Sequence, residues 1–203
     1  MKLLHIDSSI TGGASASRQV SAAIVAALAR ANPGLEIASR DLDADPIPHL
    51  DSARLASVRQ APPDAPTPTE ADIAANGAIL QQLLDADIVV IGAPMYNFTV
   101  PSQLKAWLDR ILVPGKTFSY SESGPVGLAG GKRVIVASSR GGFYSEGQPA
   151  AILDHQESYL KGFFGFLGVT DITLIRAEGL AVSPESQKAA MTAATAEVER
   201  LAA

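Results

Sequence analysis

The run Asp87–Ala93 (DIVVIGA) is continuous in apolar and β-branched residues and is bounded by charge on one side and by Pro94 on the other. A strand with no polar residue at alternate positions is buried on both faces. That requires a sheet with helices packed above and below it, and so it limits the chain to one broad class of fold.

The remaining sequence supplies the matching parts. Lys2–Asp7, Leu35–Ser39, Lys132–Ser138 and Ile172–Arg176 also read as strands. Between them the periodicity is helical. Val20, Ile24, Ala27 and Leu28 recur on one face until Asn32-Pro33-Gly34 stops the helix. A second helix is predicted from about Thr69, with Ile73, Leu80 and Leu84 facing the core. A third follows Pro101, with Leu104, Trp107, Leu108 and Ile111 on its apolar face. Two more run from Pro149 to Leu167 and from Pro184 to Leu201. Asp41 to Pro68 lacks periodicity and is predicted to be an irregular connection whose carboxylates, Asp41–Asp51, are solvated. Lys116–Gly131 reads as an insertion with two glycine-containing turns, carrying Phe118 and Tyr120.

Five alternations of strand and helix predict an α/β fold: a three-layer, doubly wound sheet of five parallel strands, in one domain over residues 1–203. An eightfold barrel needs about 250 residues. The chain has no cysteine, which excludes disulfides, thiolate metal sites and cysteine nucleophiles. No histidine pair has metal-ligand spacing, so no metal is expected. The net charge of −5, with lysines and arginines scattered, argues against nucleic acid as a partner. No secretory pattern follows Met1, and no uncharged run reaches the ~18 residues of a membrane span. A cytoplasmic protein with no membrane partner is the expectation.

In such sheets ligands bind beyond the carboxyl ends of the strands. Three loops fall there. The first, Ser8 to Arg18, leads from a strand into a helix N-terminus. Unpaired N–H groups there favour a phosphate, and Ser9, Ser15 and Ser17 add hydroxyls around Ala16. The plainer alternative is that Ser15 or Ser17 only caps the helix. The second, Pro94-Met95-Tyr96-Asn97-Phe98, is a polar-aromatic loop able to hold a flat heterocycle. The third, Ser138-Ser139-Arg140-Gly141-Gly142, lets backbone N–H groups approach a carbonyl edge; as an alternative it is a simple turn. The chain carries no phosphate-binding G-x-x-x-x-G-K-[ST], no G-x-G-x-x-G after the first strand and no G-x-S-x-G elbow.

Taken together, these segments resemble the FMN-dependent NADH-azoreductases, also called FMN-dependent NADH:quinone oxidoreductases. The likeness rests on Ser8-Ser9, Ser15-Ala16-Ser17, Arg40-Asp41-Leu42 with Asp45-Pro46-Ile47-Pro48, Ala93–Phe98, Pro101–Lys105, Thr117-Phe118 with Tyr120, Ser138–Gly142 and Ala177-Glu178-Gly179. Many relatives have glutamine where this chain has Ala16. The resemblance implies a flavodoxin-like fold with strand order 2-1-3-4-5, FMN as cofactor and NADH, with NADPH as the alternative, as electron donor. It implies a homodimer with FMN at the interface and a quinone or azo compound as acceptor. It places the phosphate on Ser9 and Ser15–Ser17, and the ring against Met95, Tyr96, Asn97, Phe98, Ser139, Arg140, Gly141 and Gly142. Phe118, Tyr120 and Phe163 would wall the substrate, some from the partner. The cofactor would carry the chemistry and no side chain would be catalytic. Two rival readings are a flavodoxin-type electron carrier and a hydrolase using Ser9 or Ser15.

Overall fold

The computed structural model describes residues 1–58, 60 and 62–201. Its strands are β1 (Lys2–Asp7), β2 (Glu36–Asp41), β3 (Ile88–Pro94), β4 (Phe118–Ser121), β5 (Gly124–Gly127), β6 (Arg133–Ser139) and β7 (Asp171–Ala177). Its α-helices are α1 (Ala16–Ala31), α2 (Ser52–Leu55), α3 (Glu70–Asp85), α4 (Ser102–Ile111), α5 (His155–Phe166) and α6 (Pro184–Leu201).

Five strands form one parallel sheet in the order β2-β1-β3-β6-β7. β3 lies at its centre with all seven residues buried, as its unbroken apolar run predicts. Alternating side chains feed two cores. Leu4, Ile6, Val89, Ile91, Val134 and Val136 face α3, α4 and α5. Leu3, Ile88, Val90, Ile135, Ala137 and Ile175 face α1 and α6. Among the described residues, no helix is long and apolar enough to cross a membrane.

The insertion after α4 lies where the sequence places it and forms an antiparallel hairpin, β4-β5, with register Phe118↔Gly127. It docks at the amino ends of the strands, where the Ala129 N–H donates to the Leu167 carbonyl and a Cβ on Gly127 would lie 2.1 Å from the backbone nitrogen of Gly168. Three other expectations need correcting. α3 is rotated from its expected face: Asn76, Ile79 and Leu83 are buried while Ile73 is 52% exposed. The apolar spacing alone did not count a buried asparagine as part of a core face. α5 begins at His155, not near Pro149, because Asp154 caps it by accepting from the N–H groups of Gln156 and Glu157. The irregular connection after β2 contains the short helix α2, capped by Asp51.

The sheet's central seam is tight. β3 passes so close to β1 and α1 at Gly92 that a Cβ there would lie 2.4 Å from Asp7 Oδ1 and 3.1 Å from Ser21 Oγ. Asp7 is itself held by the Ser21 hydroxyl, which donates to it at 2.8 Å. Gly92→Ala should therefore destabilise the fold by about 1–3 kcal/mol, the usual cost of overpacking, read as a lower urea midpoint with unchanged slope.

Candidate functional site

The strand ends are brought flush by the parallel register, which pairs Asp7 with Gly92 and Pro94 with Ser139. The three loops leave from this edge and are tied to one another. The Met95 N–H donates to the Ser139 carbonyl at 2.8 Å, extending the β3–β6 ladder into the loops. The Tyr96 hydroxyl lies 3.3 Å from Ser9 Oγ and accepts from the Ile10 N–H at 3.2 Å. Phe98 packs edge-on to Tyr144 with centroids 6.1 Å apart. The His155 N–H donates to the Phe98 carbonyl, fixing the same loop to α5.

In the first loop Ser9, Ser15 and Ser17 are all buried, at 1%, 5% and 0% exposure. Ser15 caps α1 by accepting from the Arg18 N–H, and its hydroxyl lies 3.0 Å from that of Ser17. Capping is thus real, and it coexists with a cluster of hydroxyls at a helix start. The N–H groups of Ala16 and Ser17, being the first of α1, have no intrahelical acceptor. Arg18 locks the loop from behind. Its Nε and Nη2 donate to the Ser9 carbonyl, and its guanidinium grips Asp41 through two bonds of 2.7 and 2.6 Å. Asp41 is therefore not a free solvated carboxylate. The hydrogen bond from Arg18 holds it down, against the opposing effect of burial, from an ordinary 3.8 to about 2.

In the second loop Tyr96 and Thr99 exchange backbone bonds of 3.0 and 3.1 Å across a two-residue turn. Its central residues, Asn97 and Phe98, have φ of 47° and 71°. Two successive non-glycine residues in the left-handed region are costly, and such strain persists where surrounding structure imposes it, often at functional sites. An open hollow of about 490 Å³ adjoins this turn, lined by Tyr96, Asn97, Val100, Lys105 and Tyr159 among others. Burial, and then the charge of Asp109, pushes the Tyr159 phenol up to about 12, so it stays a neutral donor at ordinary pH.

The third loop departs furthest from expectation. Arg140 is neither a surface cation nor free to reach a ligand, because its side chain is fully buried. Its guanidinium faces Asp154 at 3.0 Å, Glu178 at 2.9 Å and Glu157, and its Nε donates to Ser138 Oγ. Arg176 closes the far side of Glu157 with bonds of 2.8 Å. Glu178 also accepts from the Tyr144 N–H and the Ser145 hydroxyl. Burial would raise the pKa of Glu178, but the bonds from Ser145, Tyr144 and Arg140 outweigh it and leave the carboxyl below its ordinary value. The cluster pins the loop, with the carbonyls of Gly141 and Gly142 taken by Ala181 and Gly179. Among the described residues no acceptor takes the N–H of Gly141 or Gly142.

Phe118 and Tyr120 do not join these loops within one chain, while Phe163 packs on Tyr159, which lines the hollow beside the Asn97 turn. Phe118 packs on Phe166 with centroids 5.0 Å apart, and Tyr120, 76% exposed, lies edge-on to Phe118. Phe166 ends α5, about 16 Å along the helix from His155 at a rise of about 1.5 Å per residue. Phe163 lines an apolar hollow on α5 with Leu112, Tyr159 and Phe166. Sequence reasoning did not single out Arg18, Glu178, Tyr144 or Gln156. Gln156 bridges the Ala93 carbonyl and the Ser138 hydroxyl from inside the site's floor. A buried-polar signal of this kind has no periodicity, and only the short Ala177-Glu178-Gly179 match touched it.

A doubly wound parallel sheet, with buried hydroxyls at the first βα turn and, among the described residues, amides without acceptors after β6, defines a flavodoxin-like protein. Comparison with known proteins agrees. A family profile described as "Flavodoxin-like fold" matches residues 1–202. The FMN-dependent NADH:quinone oxidoreductase of Bradyrhizobium sp. strain BTAi1 is 55% identical over 203 residues, covering 100% of both chains. Among solved structures, an azoreductase from Bacillus anthracis str. Sterne superposes with TM-score 0.88 at 29% identity, over 100% of this chain and 98% of that one. An FMN-dependent NADH-azoreductase from Bacillus anthracis str. Ames Ancestor, crystallised with FMN, gives 0.84 at 28% identity over 100% and 99%. The chain belongs to the family of FMN-dependent NADH:quinone oxidoreductases and azoreductases.

Two outcomes follow from the electrostatics. Asp41 has a depressed folded pKa, so its ion pair stabilises the fold fully above about 3.8 and is lost as pH falls toward about 2. The difference in melting temperature between the wild type and Asp41→Asn should be constant above pH 5 and shrink between pH 4 and pH 2. Arg140→Met leaves buried carboxylates facing one another and should cost about 3–5 kcal/mol in urea unfolding.

Proposed function

We propose that this protein is an FMN-dependent oxidoreductase that takes a hydride from NADH, or NADPH as the alternative donor, and reduces quinones by two electrons and aromatic azo compounds to amines. The observation that carries the reading is the set of unused donors on one sheet edge: the first N–H groups of α1 among buried serines, and the amides of Gly141 and Gly142 opposite the strained Asn97-Phe98 turn. These residues fit FMN. The phosphate would take the Ser9, Ser15 and Ser17 hydroxyls with the Ala16 and Ser17 amides, which suits a protein of net charge −5 because no lysine is required. The ring would lie against Met95, Tyr96, Asn97 and Phe98 and beside Ser139, Gly141 and Gly142.

Bound FMN would supply the two-electron relay between donor and acceptor. The protein's share is placement. The Gly141 and Gly142 amides, held rigid by the Arg140–Glu178 cluster, would face the ring edge where negative charge grows on reduction; donors fixed in advance need no reorganisation as that charge develops. Arg140 acts through this framework rather than by contact. Donor and acceptor would use the same ring face in turn, giving ping-pong kinetics, and an azo bond would need two rounds. The wall of Phe118 and Tyr120 lies too far from the loops of its own chain, which favours a homodimer in which a second copy brings these rings over the site. The apolar hollow at Phe163 on α5 is the matching surface. One domain over residues 1–203, acting in the cytoplasm where reduced nicotinamide is supplied, completes the reading.

Stopped-flow mixing of FMN-loaded protein with NADH should bleach the flavin absorbance within seconds and recover it on adding a quinone. A flavodoxin-type carrier would not bleach. Ser9→Ala should weaken FMN binding about tenfold, the worth of one hydrogen bond to a charged group, while turnover of the loaded enzyme persists. Complete loss of turnover with FMN still bound would favour the hydrolase instead.

A further inference from the structure

Behind the serine loop the charges do not balance. Arg18, which clasps the Ser9 carbonyl, faces three carboxylates. Asp41 takes two bonds from it, Asp7 Oδ2 lies 3.8 Å from its Nη1, and Asp43 adds its charge from the exposed turn after β2. Asp7 ends β1 directly before Ser8. Its side chain is 15% exposed and that of Arg18 is 16% exposed, so water screens them poorly. One guanidinium among three carboxylates leaves net negative charge at the back of a turn that would hold a phosphate dianion. Like charges in such a partly buried space repel more strongly than in water.

His5 is placed to offset that charge. It lies two residues before Asp7 and points to the same face of the sheet, because side chains alternate along a strand. Its Nε2 is 3.0 Å from Ser21 Oγ and 3.5 Å from Asp7 Oδ1. The Ser21 hydroxyl donates to Asp7 at 2.8 Å, which leaves its oxygen to accept from the His5 ring. Among the described residues His5 Nδ1 has no partner, and the side chain is 13% exposed, so water can deliver a second proton. Its register partners on the flanking strands, Ser39 and Val90, carry no charge. Asp7 is the charged group within ion-pair distance, with Arg18, Asp41 and Asp43 beyond it. Ser21 follows Ser17 by four residues, about 6 Å along α1. The imidazole therefore stands roughly one turn behind the hydroxyls that would face the phosphate.

We propose, given FMN as the ligand of the serine turn, that His5 is a positioning residue for its phosphate and takes up a proton as FMN binds. The protonated ring would hold Asp7 directly and leave Arg18 to Asp41 and the Ser9 carbonyl. It touches no part of the ligand and acts through Asp7 and Arg18. Histidine suits this task because its charge ordinarily changes near neutral pH. Linkage fixes the sign: a proton gained on binding means that affinity is greatest at low pH and falls as pH rises.

Diluting FMN-loaded protein and following the released flavin by fluorescence measures the affinity at each pH. Between about pH 6.5 and pH 8.5 the wild-type affinity should fall by about fivefold or more. His5→Gln keeps a donor toward Ser21 but gains no proton, so most of that fall should disappear. Lost packing alone would weaken FMN equally at every pH. The phosphate's own ionisation acts on both proteins alike. Calorimetry in buffers of different ionisation enthalpy should show protons taken up on binding by the wild type and fewer by the variant. His5→Asn serves if His5→Gln does not fold. Parallel pH profiles in wild type and variants, or equal proton uptake, would overturn the role of His5 and leave FMN as the ligand. Protein that holds no FMN at any pH would overturn both.

Discussion

The burial of β3 on both faces, between parallel neighbours, is the constraint from which the rest of the structure follows. A strand that carries Val89, Val90 and Ile91 at full burial cannot tolerate water on either side, so helices must pack above and below. Parallel pairing then makes every strand end at the same edge. Three loops that are far apart in sequence leave that edge within hydrogen-bonding reach of one another, and the Met95–Ser139 and Tyr96–Ser9 contacts are direct results of the register.

On this base the loops are stiffened by paired charge. Arg18 with Asp41 braces the serine loop, and Arg140 with Asp154, Glu157 and Glu178 braces the glycine loop. Both arginines sit one layer behind the donors that face outward. A rigid frame of this kind keeps backbone amides aimed at one place, which is what stabilising a transient negative charge requires. It also explains the strained Asn97-Phe98 turn, since Tyr96, Thr99 and His155 hold it from three sides.

The hairpin β4-β5 faces the other way. It sets Phe118 and Tyr120 beside Phe166, at the end of α5 away from the three loops, while Phe163 packs on Tyr159 midway along that helix.

Much of this was legible from residue order. The alternation of apolar runs and helical spacing determined the sheet, its helical cover and the edge from which the three loops leave, because burial periodicity is a local property of the chain. The serine turn and the two later loops could be picked out for the same reason: each lies directly after a strand. Tertiary structure alone decided the rest. Asp41 reads as one of several surface carboxylates until the register sets β2 beside β1 and brings Arg18 onto it. Arg140 reads as a free cation until α5 and the end of β7 deliver three carboxylates around it. Arg110 reads as one charge on an amphipathic helix until the segment after β2 closes over it. Pairing between charges distant in sequence is set by packing, and packing is not periodic.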